Sequence, residues 1–217
     1  MNVLNVFKYS QVAQRYDLYY QTSLGESVDR IEKALILEYL NQIHSREMLE
    51  LGCGTGHWTQ FFYEEGFQVT GIDESEAMLE RARSKNIAGA RFLQADAGNL
   101  PFPDRHFSVI SAITLFEFVD DPEPVFDEID RILKPGGYLL CGWLNALSEL
   151  GKKKDDDDTY RHARFYTPEE VKQFLERFGR PQLSYGVYYA PDFKLLDGTE
   201  LQSSGEPTFI ASLVQKI

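Results

Sequence analysis

Between residues 47 and 143 the chain alternates short apolar runs with stretches whose apolar positions recur every three or four residues. The runs Glu47–Leu51, Gln68–Ile72, Ala90–Gln94, Phe107–Ala112 and Gly137–Trp143 predict strands. The stretch His57–Glu65 predicts a helix with Trp58, Phe61 and Phe62 on one face, and Glu76–Lys85 predicts a second, entered through Ser75 as N-cap. A third, Pro124–Leu133, turns Val125, Ile129, Ile132 and Leu133 inward and is stopped by Lys134-Pro135-Gly136-Gly137. Strands alternating with helices build βαβ units, so the pattern predicts a parallel sheet buried on both faces.

Two segments flank this block. Ser27–Leu40 reads as a helix with Val28, Ile31, Leu35 and Tyr39 at core spacing. Thr167-Pro168-Glu169-Glu170 is a capping box with Pro at the first helical position. The helix it opens buries Val171, Phe174, Leu175 and Phe178 and closes at Gly179. Gln182–Tyr189 and Thr208–Gln215 read as terminal strands. The 217 residues then hold seven strands in one domain, since a domain typically takes roughly 100–200 residues.

Charge narrows the function classes. Lys and Arg number 22 against 34 Asp and Glu, a net charge of −12. Binding to nucleic acid or anionic lipid needs clustered cations, and the one basic run, Lys152–Lys154, is cancelled by Asp155–Asp158 directly after it. That tract reads as a solvated loop and a candidate lid hinge. Cys53 and Cys141 are too few for a disulfide framework or a zinc site. No metal is expected, and both thiols are expected to be unpaired in a reducing cytoplasm. The start, Met1 to Lys8, lacks the pattern of a secretory leader. The most apolar window, Tyr138–Leu147, is half the roughly twenty residues of a membrane span. A soluble, cytoplasmic protein is expected.

In open α/β sheets ligands bind beyond the carboxyl ends of the strands. After the first strand comes Glu50-Leu51-Gly52-Cys53-Gly54-Thr55-Gly56. Three alternate glycines let the backbone turn tightly and let a ligand approach it, and the following helix aims its free N–H groups at the same spot. The spacing is not the Gly-x-Gly-x-x-Gly of dinucleotide sites, and no Lys-Ser/Thr follows as in a phosphate loop. That spacing counts against a nicotinamide oxidoreductase. Glu50 would repel a pyrophosphate but could receive an ammonium or its bound water. Asp73 ends the second strand, where a carboxylate can accept both hydroxyls of a ribose. Asp96 ends the third, placed to accept from an adenine amine, with the Ala97 N–H available to a ring nitrogen. Singly, each also suits an ordinary turn; together they point to a nucleoside.

The stretches MLELGCGTG, VTGIDES, FLQADAGNLPFPDRHFSVI, TLFEFVDDPEPVFDEIDRILKPGGYLL and GEPTFIASLV resemble class I S-adenosylmethionine-dependent methyltransferases, in particular the ubiquinone/menaquinone-biosynthesis-like small-molecule branch. The resemblance implies a Rossmann-like, seven-stranded, mostly parallel sheet with helices on both faces and an antiparallel C-terminal strand. It implies one methyltransferase domain over 1–217, with 1–40 as a helical cover and 144–166 as a substrate-side insertion. It implies S-adenosyl-L-methionine as cofactor, S-adenosyl-L-homocysteine as product, and methyl transfer to a small molecule by in-line displacement. Glu50, Gly52, Cys53, Gly54 and Gly56 would frame the methionine end. Asp73 would hold the ribose, Glu74 and Met78 would line its adenine side, and Asp96 and Ala97 would read the base. Ile113 and Thr114, in the loop after strand four, would pass close to the sulfonium. Tyr16 would cover it, unless it serves only in helix packing.

No general base is evident. His162 and Tyr16 are candidate catalytic residues, and His106 and His57 are further histidines by location. Phe116-Glu117-Phe118 stands where many relatives carry a histidine, which counts against a histidine-dependent step after strand four. No Asn-Pro-Pro-Tyr-like run is present, which counts against methylation of nucleobase or glutamine amines. Trp143, Tyr160, Phe165 and Tyr166, with Tyr9, Tyr19 and Tyr20, could wall a pocket for a planar or a cationic acceptor, or fill the core. A non-catalytic adenosyl-cofactor-binding protein is the alternative.

Overall fold

The computed structural model describes residues 10–196 and 205–217. Seven strands, β1 (Glu47–Leu51), β2 (Gln68–Asp73), β3 (Arg91–Gln94), β4 (Phe107–Ile113), β5 (Leu133–Leu144), β6 (Gln182–Gly186) and β7 (Phe209–Gln215), form one sheet. Their order is β3-β2-β1-β4-β5-β7-β6. The first five pair in parallel, and β7 runs antiparallel to both of its neighbours. This is the expected Rossmann-like sheet with its antiparallel C-terminal strand.

Alternate residues of each strand point to opposite faces, and here both faces are apolar. Leu49, Leu51, Ile72, Ile110, Ala112, Leu139 and Trp143 enter one core. Met48, Val69, Val109, Ile113 and Leu140 enter the other. The first core is closed by α5 (Glu123–Ile132) and α7 (Pro168–Leu175), which bury Phe126, Ile129, Val171 and Leu175. The second is closed by α2 (Ser23–Leu40) and α3 (His57–Glu64), which bury Ile36, Tyr39, Trp58 and Phe62. Helix α4 (Glu76–Ser84) packs on β2 and β3, and α1 (Ser10–Tyr19) packs on α4. The capping box at Thr167 forms in both directions, Glu170 N–H to Thr167 Oγ1 and Thr167 N–H to Glu170.

Several boundaries move for physical reasons. Helix α2 begins at Ser23, not Ser27, because Thr22 caps it by accepting from the Gly25 N–H at 3.0 Å. Lys134–Gly137 ends α5 as expected but belongs to β5. Leu133 pairs with Phe107 and Tyr138 with Val109 across a register shift, and Gly136 takes φ 75°. Strand β6 stops at Gly186 rather than Tyr189 because Val187 turns the chain at φ 57°. The tract 152–158 is partly ordered: α6 (Glu149–Lys152) runs into a short 3-10 turn at Lys154–Asp156.

Three aromatics considered for a pocket belong to cores instead. Phe116 lies 4.6 Å from both Phe126 and Trp143, with ring planes within 14° and 11°. Trp143 donates from Nε1 to Ser212 Oγ at 2.9 Å, and Tyr166 donates to the Phe116 carbonyl. Phe165 is buried against Leu144 and Ala163. Tyr9 lies outside the described residues. The central stack predicts that Phe116→Ala lowers the free energy of urea unfolding by about 3–5 kcal/mol; a loss of under about 1 kcal/mol, the scale of an ordinary substitution, would show that the stack does not hold the sheet to α5.

Candidate active site

The strand order reverses between β1 and β4, so the loops leaving their carboxyl ends diverge and open a crevice. A cavity of about 860 Å³ lies there, within the usual range for small-molecule sites. Its floor is the turn after β1. Gly52 has φ 67°, a backbone conformation that favours glycine, and a Cβ on it would stand 2.8 Å from Leu115 Cδ1 and push that side chain aside. Gly54, at φ 53°, donates its N–H to Asp73 Oδ2 at 2.9 Å, and the Ser75 N–H donates to Oδ1 at 2.8 Å. Those bonds orient the Asp73 carboxylate and leave half of its roughly four acceptor sites for a ligand. Burial pushes its pKa up and the two N–H groups pull it back; the net direction is upward.

Along the same wall stand Cys53, Glu74, Met78, Asp96, Ala97, Ile113 and Thr114. Asp96 accepts the Gly98 N–H at 2.8 Å in a tight turn, as its local sequence predicts, and still borders the cavity. Thr114 is a β-branched residue at φ 49°, a conformation such residues avoid and one that collects at ligand-contacting loops.

Four expected residues stand elsewhere. Glu50 does not line the cavity: its side chain turns under the floor toward α3, where Oε2 accepts from Thr59 Oγ1 at 2.5 Å. Burial, with the nearby Asp73 charge, pushes its carboxyl up to about 8. Gly56 caps α3 at φ 78° and packs on Ala82 rather than facing the cavity. His106 precedes β4, at the opposite end of the strand from the crevice, and stacks on Phe102. His162 is exposed and outside the cavity wall.

The cavity is also walled by groups that lie away from the strand tips. Helix α1 turns Val12, Arg15, Tyr16 and Tyr19 toward it, and Tyr20 follows. The helix is fastened through Asp17, which accepts from Thr55 Oγ1 at 2.6 Å and Lys85 Nζ at 3.0 Å. His57 stacks on Tyr20 at 3.6 Å, and its Nε2 lies 2.7 Å from Asp29 Oδ1. Burial alone would raise the Asp29 carboxyl, but hydrogen bonds with His57 and Lys33 hold it below the ordinary range. Glu32, Tyr160 and Tyr189 complete this wall. Burial raises the phenols of Tyr16, Tyr20 and Tyr160 and takes that of Tyr19 to about 12, so all stay protonated at neutral pH. A sequence signal existed for Glu32: it interrupts the apolar stripe Val28–Glu32–Ile36 of α2. Tyr189 is brought in only because β6 ends early.

Residues 49–141 match the family model described as "Methyltransferase domain". That segment builds the parallel half of the sheet, and the strand order is that of a Rossmann-like methyltransferase fold. Over nearly its whole length the chain is 28% identical to an uncharacterized protein of Methanocaldococcus jannaschii, covering 99% of this chain and 100% of that one. It is 32% identical over 141 residues to a malonyl-[acyl-carrier protein] O-methyltransferase of Hamiltonella defensa, covering 64% of this chain and 54% of that one. The chain thus spans about half the length of that named relative. Among solved structures it is similar to a Thermotoga maritima protein described as a SAM-dependent methyltransferase, possible histamine N-methyltransferase. The TM-score there is 0.75 at 26% identity, covering 97% of this chain and 99% of that one. No helix among the described residues is long and apolar enough to cross a membrane.

Burial sets a pH signature. Glu32, Glu50 and Glu117 are each pushed up to about 8, chiefly by burial. Glu117 accepts the Leu144 N–H at 2.6 Å through Oε1, while its buried Oε2 has no hydrogen-bond partner among the described residues. The folded state therefore holds more protons than the unfolded chain between the ordinary glutamate pKa and about 8, and their contribution to stability is lost as pH rises through that window. Urea unfolding of Glu50→Gln and Glu117→Gln at pH 6 and pH 9 is expected to show each variant gaining on the parent at the higher pH. Parallel profiles would mean that these carboxyls ionise freely.

Proposed function

We propose that this protein transfers the methyl group of S-adenosylmethionine to a small-molecule acceptor, as in the small-molecule branch its sequence resembles. One observation carries the reading: Asp73, held by the Gly54 N–H of the glycine turn, lines a cavity that Tyr16, Tyr19, Tyr20, Tyr160 and Tyr189 line as well. The chemistry of the near wall fits the cofactor. The backbone of Gly52, Cys53 and Gly54 would border the methionine end. Asp73 would accept the ribose hydroxyls, with Glu74 and Met78 beside it and Asp96 and Ala97 at the adenine. Ile113 and Thr114 would face the sulfur. Glu50 would act one layer below, supporting the turn through Thr59 and α3, and Gly56 would let α3 approach α4.

When bound, the cofactor supplies a methyl group already activated on a sulfonium. The chain then has to position the acceptor and exclude water, and positioning of this kind supplies roughly 7–11 kcal/mol. Tyr16 and Tyr19 would roof the site, their helix latched by Asp17 to Thr55 and Lys85. Residues 1–40 would thereby serve as a cover and 144–166, through Tyr160, as the substrate-side wall. His57, oriented by Asp29, is the histidine placed to hold a proton in the chamber, in preference to His162. The acidic wall, with Glu32, Asp120, Asp121 and Asp157, weighs against a carboxylate acceptor such as the malonyl group in the named relative. Two buried free cysteines suit a reducing cytoplasm.

Isothermal titration with S-adenosylhomocysteine is expected to show one site per chain. Asp73→Ala, which removes charge-assisted hydrogen bonds to two hydroxyls, is expected to weaken binding at least about tenfold, or about 1.4 kcal/mol. Absence of binding to the intact protein would overturn the reading. Binding without turnover on any acceptor would favour the non-catalytic alternative.

A further inference from the structure

Glu32 has no role in holding the nucleoside, and its surroundings are unusual for a glutamate. It sits in mid-α2 between Val28 and Ile36 and lines the far half of the cavity. Among the described residues nothing hydrogen-bonds or ion-pairs to it. Lys33, on the same helix, is committed elsewhere: its Nζ lies 2.7 Å from Asp29 Oδ2, and Asp29 Oδ1 is taken by His57 Nε2 at 2.7 Å. Arg15 lines the same cavity from α1 without forming an ion pair to Glu32. A carboxylate withdrawn from water is costly unless a cation or hydrogen-bond donors replace the lost solvation. This one faces open cavity, so the missing partner has space to enter.

Besides Asp29 and Lys33, which act on Glu32 from its own helix, five tyrosines share its cavity. Tyr16, Tyr19, Tyr20, Tyr160 and Tyr189 all border the same cavity, near enough for Glu32, once a cation draws off its proton, to act on each phenol. They arrive from three separate parts of the chain. Tyr16, Tyr19 and Tyr20 end α1 and pack edge-on at 5.8 and 5.4 Å between centroids. Tyr160 follows α6, and Tyr189 follows the early end of β6. Aromatic faces attract cations through their quadrupole, most of all where water is excluded. Their hydroxyls remain neutral. A ring of tyrosines about one unpaired carboxylate discriminates by charge, where a neutral apolar chamber would discriminate by shape alone.

We propose that this chamber binds an organic ammonium ion, with Glu32 as the counter-charge and the five tyrosines as its cage. The inference rests on the methyl-transfer reading and deepens it, since it assigns the acceptor to the amines. It concerns binding and requires no bond to be made. Asp120, Asp121 and Asp157 on the same wall add a field of the sign that draws cations toward the opening.

The test uses the full chain, alone and saturated with S-adenosylhomocysteine, titrated by calorimetry with charged and neutral pairs of matched shape. The pairs are choline and 3,3-dimethylbutan-1-ol, benzyltrimethylammonium and neopentylbenzene, and 2-phenylethylammonium and 2-phenylethanol. At least one ammonium is expected to bind ten times or more tightly than its neutral partner, and Glu32→Gln is expected to abolish that preference while S-adenosylhomocysteine binding is kept. Tyr20→Leu, a second variant away from the carboxylate, is expected to weaken the same ammonium at least threefold. The proposal is overturned if no ammonium outbinds its neutral partner, or if the preference survives in Glu32→Gln. Loss of S-adenosylhomocysteine binding by the unaltered protein would instead strike the methyl-transfer reading, so the two failures are separable.

Discussion

The bond from the Gly54 N–H to the Asp73 carboxylate joins the turn after β1 to the tip of β2, and the site is organised around it. Gly54 takes the left-handed backbone, φ 53°, that brings its N–H onto the strand tip. With the carboxylate fixed there, the crevice gains an acceptor whose direction is set by two backbone N–H groups. The same turn continues into α3, whose first residue, His57, begins the opposite chamber. One short segment thus contributes to the cavity both from the strand tips and from α3.

Second in importance is the latch through Asp17. A ten-residue helix with little apolar surface would not stay docked by propensity alone. Asp17 reaches Thr55, in the glycine turn, and Lys85, just past α4. The roof therefore hangs from the elements that shape the nucleoside half. A ligand that orders the turn and α4 also favours the docked roof, which gives closure a local electrostatic cause.

The strands, the glycine turn and the strand-tip acids were legible because each depends on a few neighbouring residues: apolar alternation, left-handed turns, and carboxylates at chain reversals. Glu50 shows where that logic stops. Position 50 lies beside the turn in sequence, but strand alternation sends its side chain to α3 and away from the crevice. Trp143, Phe165 and Tyr166 show the same limit for aromatics, since composition does not distinguish a core ring from a pocket ring. The tyrosine chamber was hidden for another reason. Tyr16, Glu32, Tyr160 and Tyr189 come from four distant segments, and Tyr189 arrives only because Val187 ends β6 three residues earlier than its pattern suggests. Glu32 left the clearest trace, as an acid inside an apolar helical stripe, and its meaning depends on what α1 places opposite.

The comparisons agree with this division. The family match covers 49–141, the segment that builds the turn and strand tips, and omits α1, α2 and the tail of β6 that build the chamber. The shared region is the one expected to hold a shared cofactor, and the chamber is where acceptor choice would be written. The most direct measurement of the central claim is a crystal structure of the protein grown with S-adenosylhomocysteine. The account predicts the ribose hydroxyls on Asp73, the adenine beside Asp96 and Ala97, and the sulfur directed toward the tyrosine chamber. A nucleoside lodged elsewhere, or one whose sulfur points away from that chamber, would contradict it.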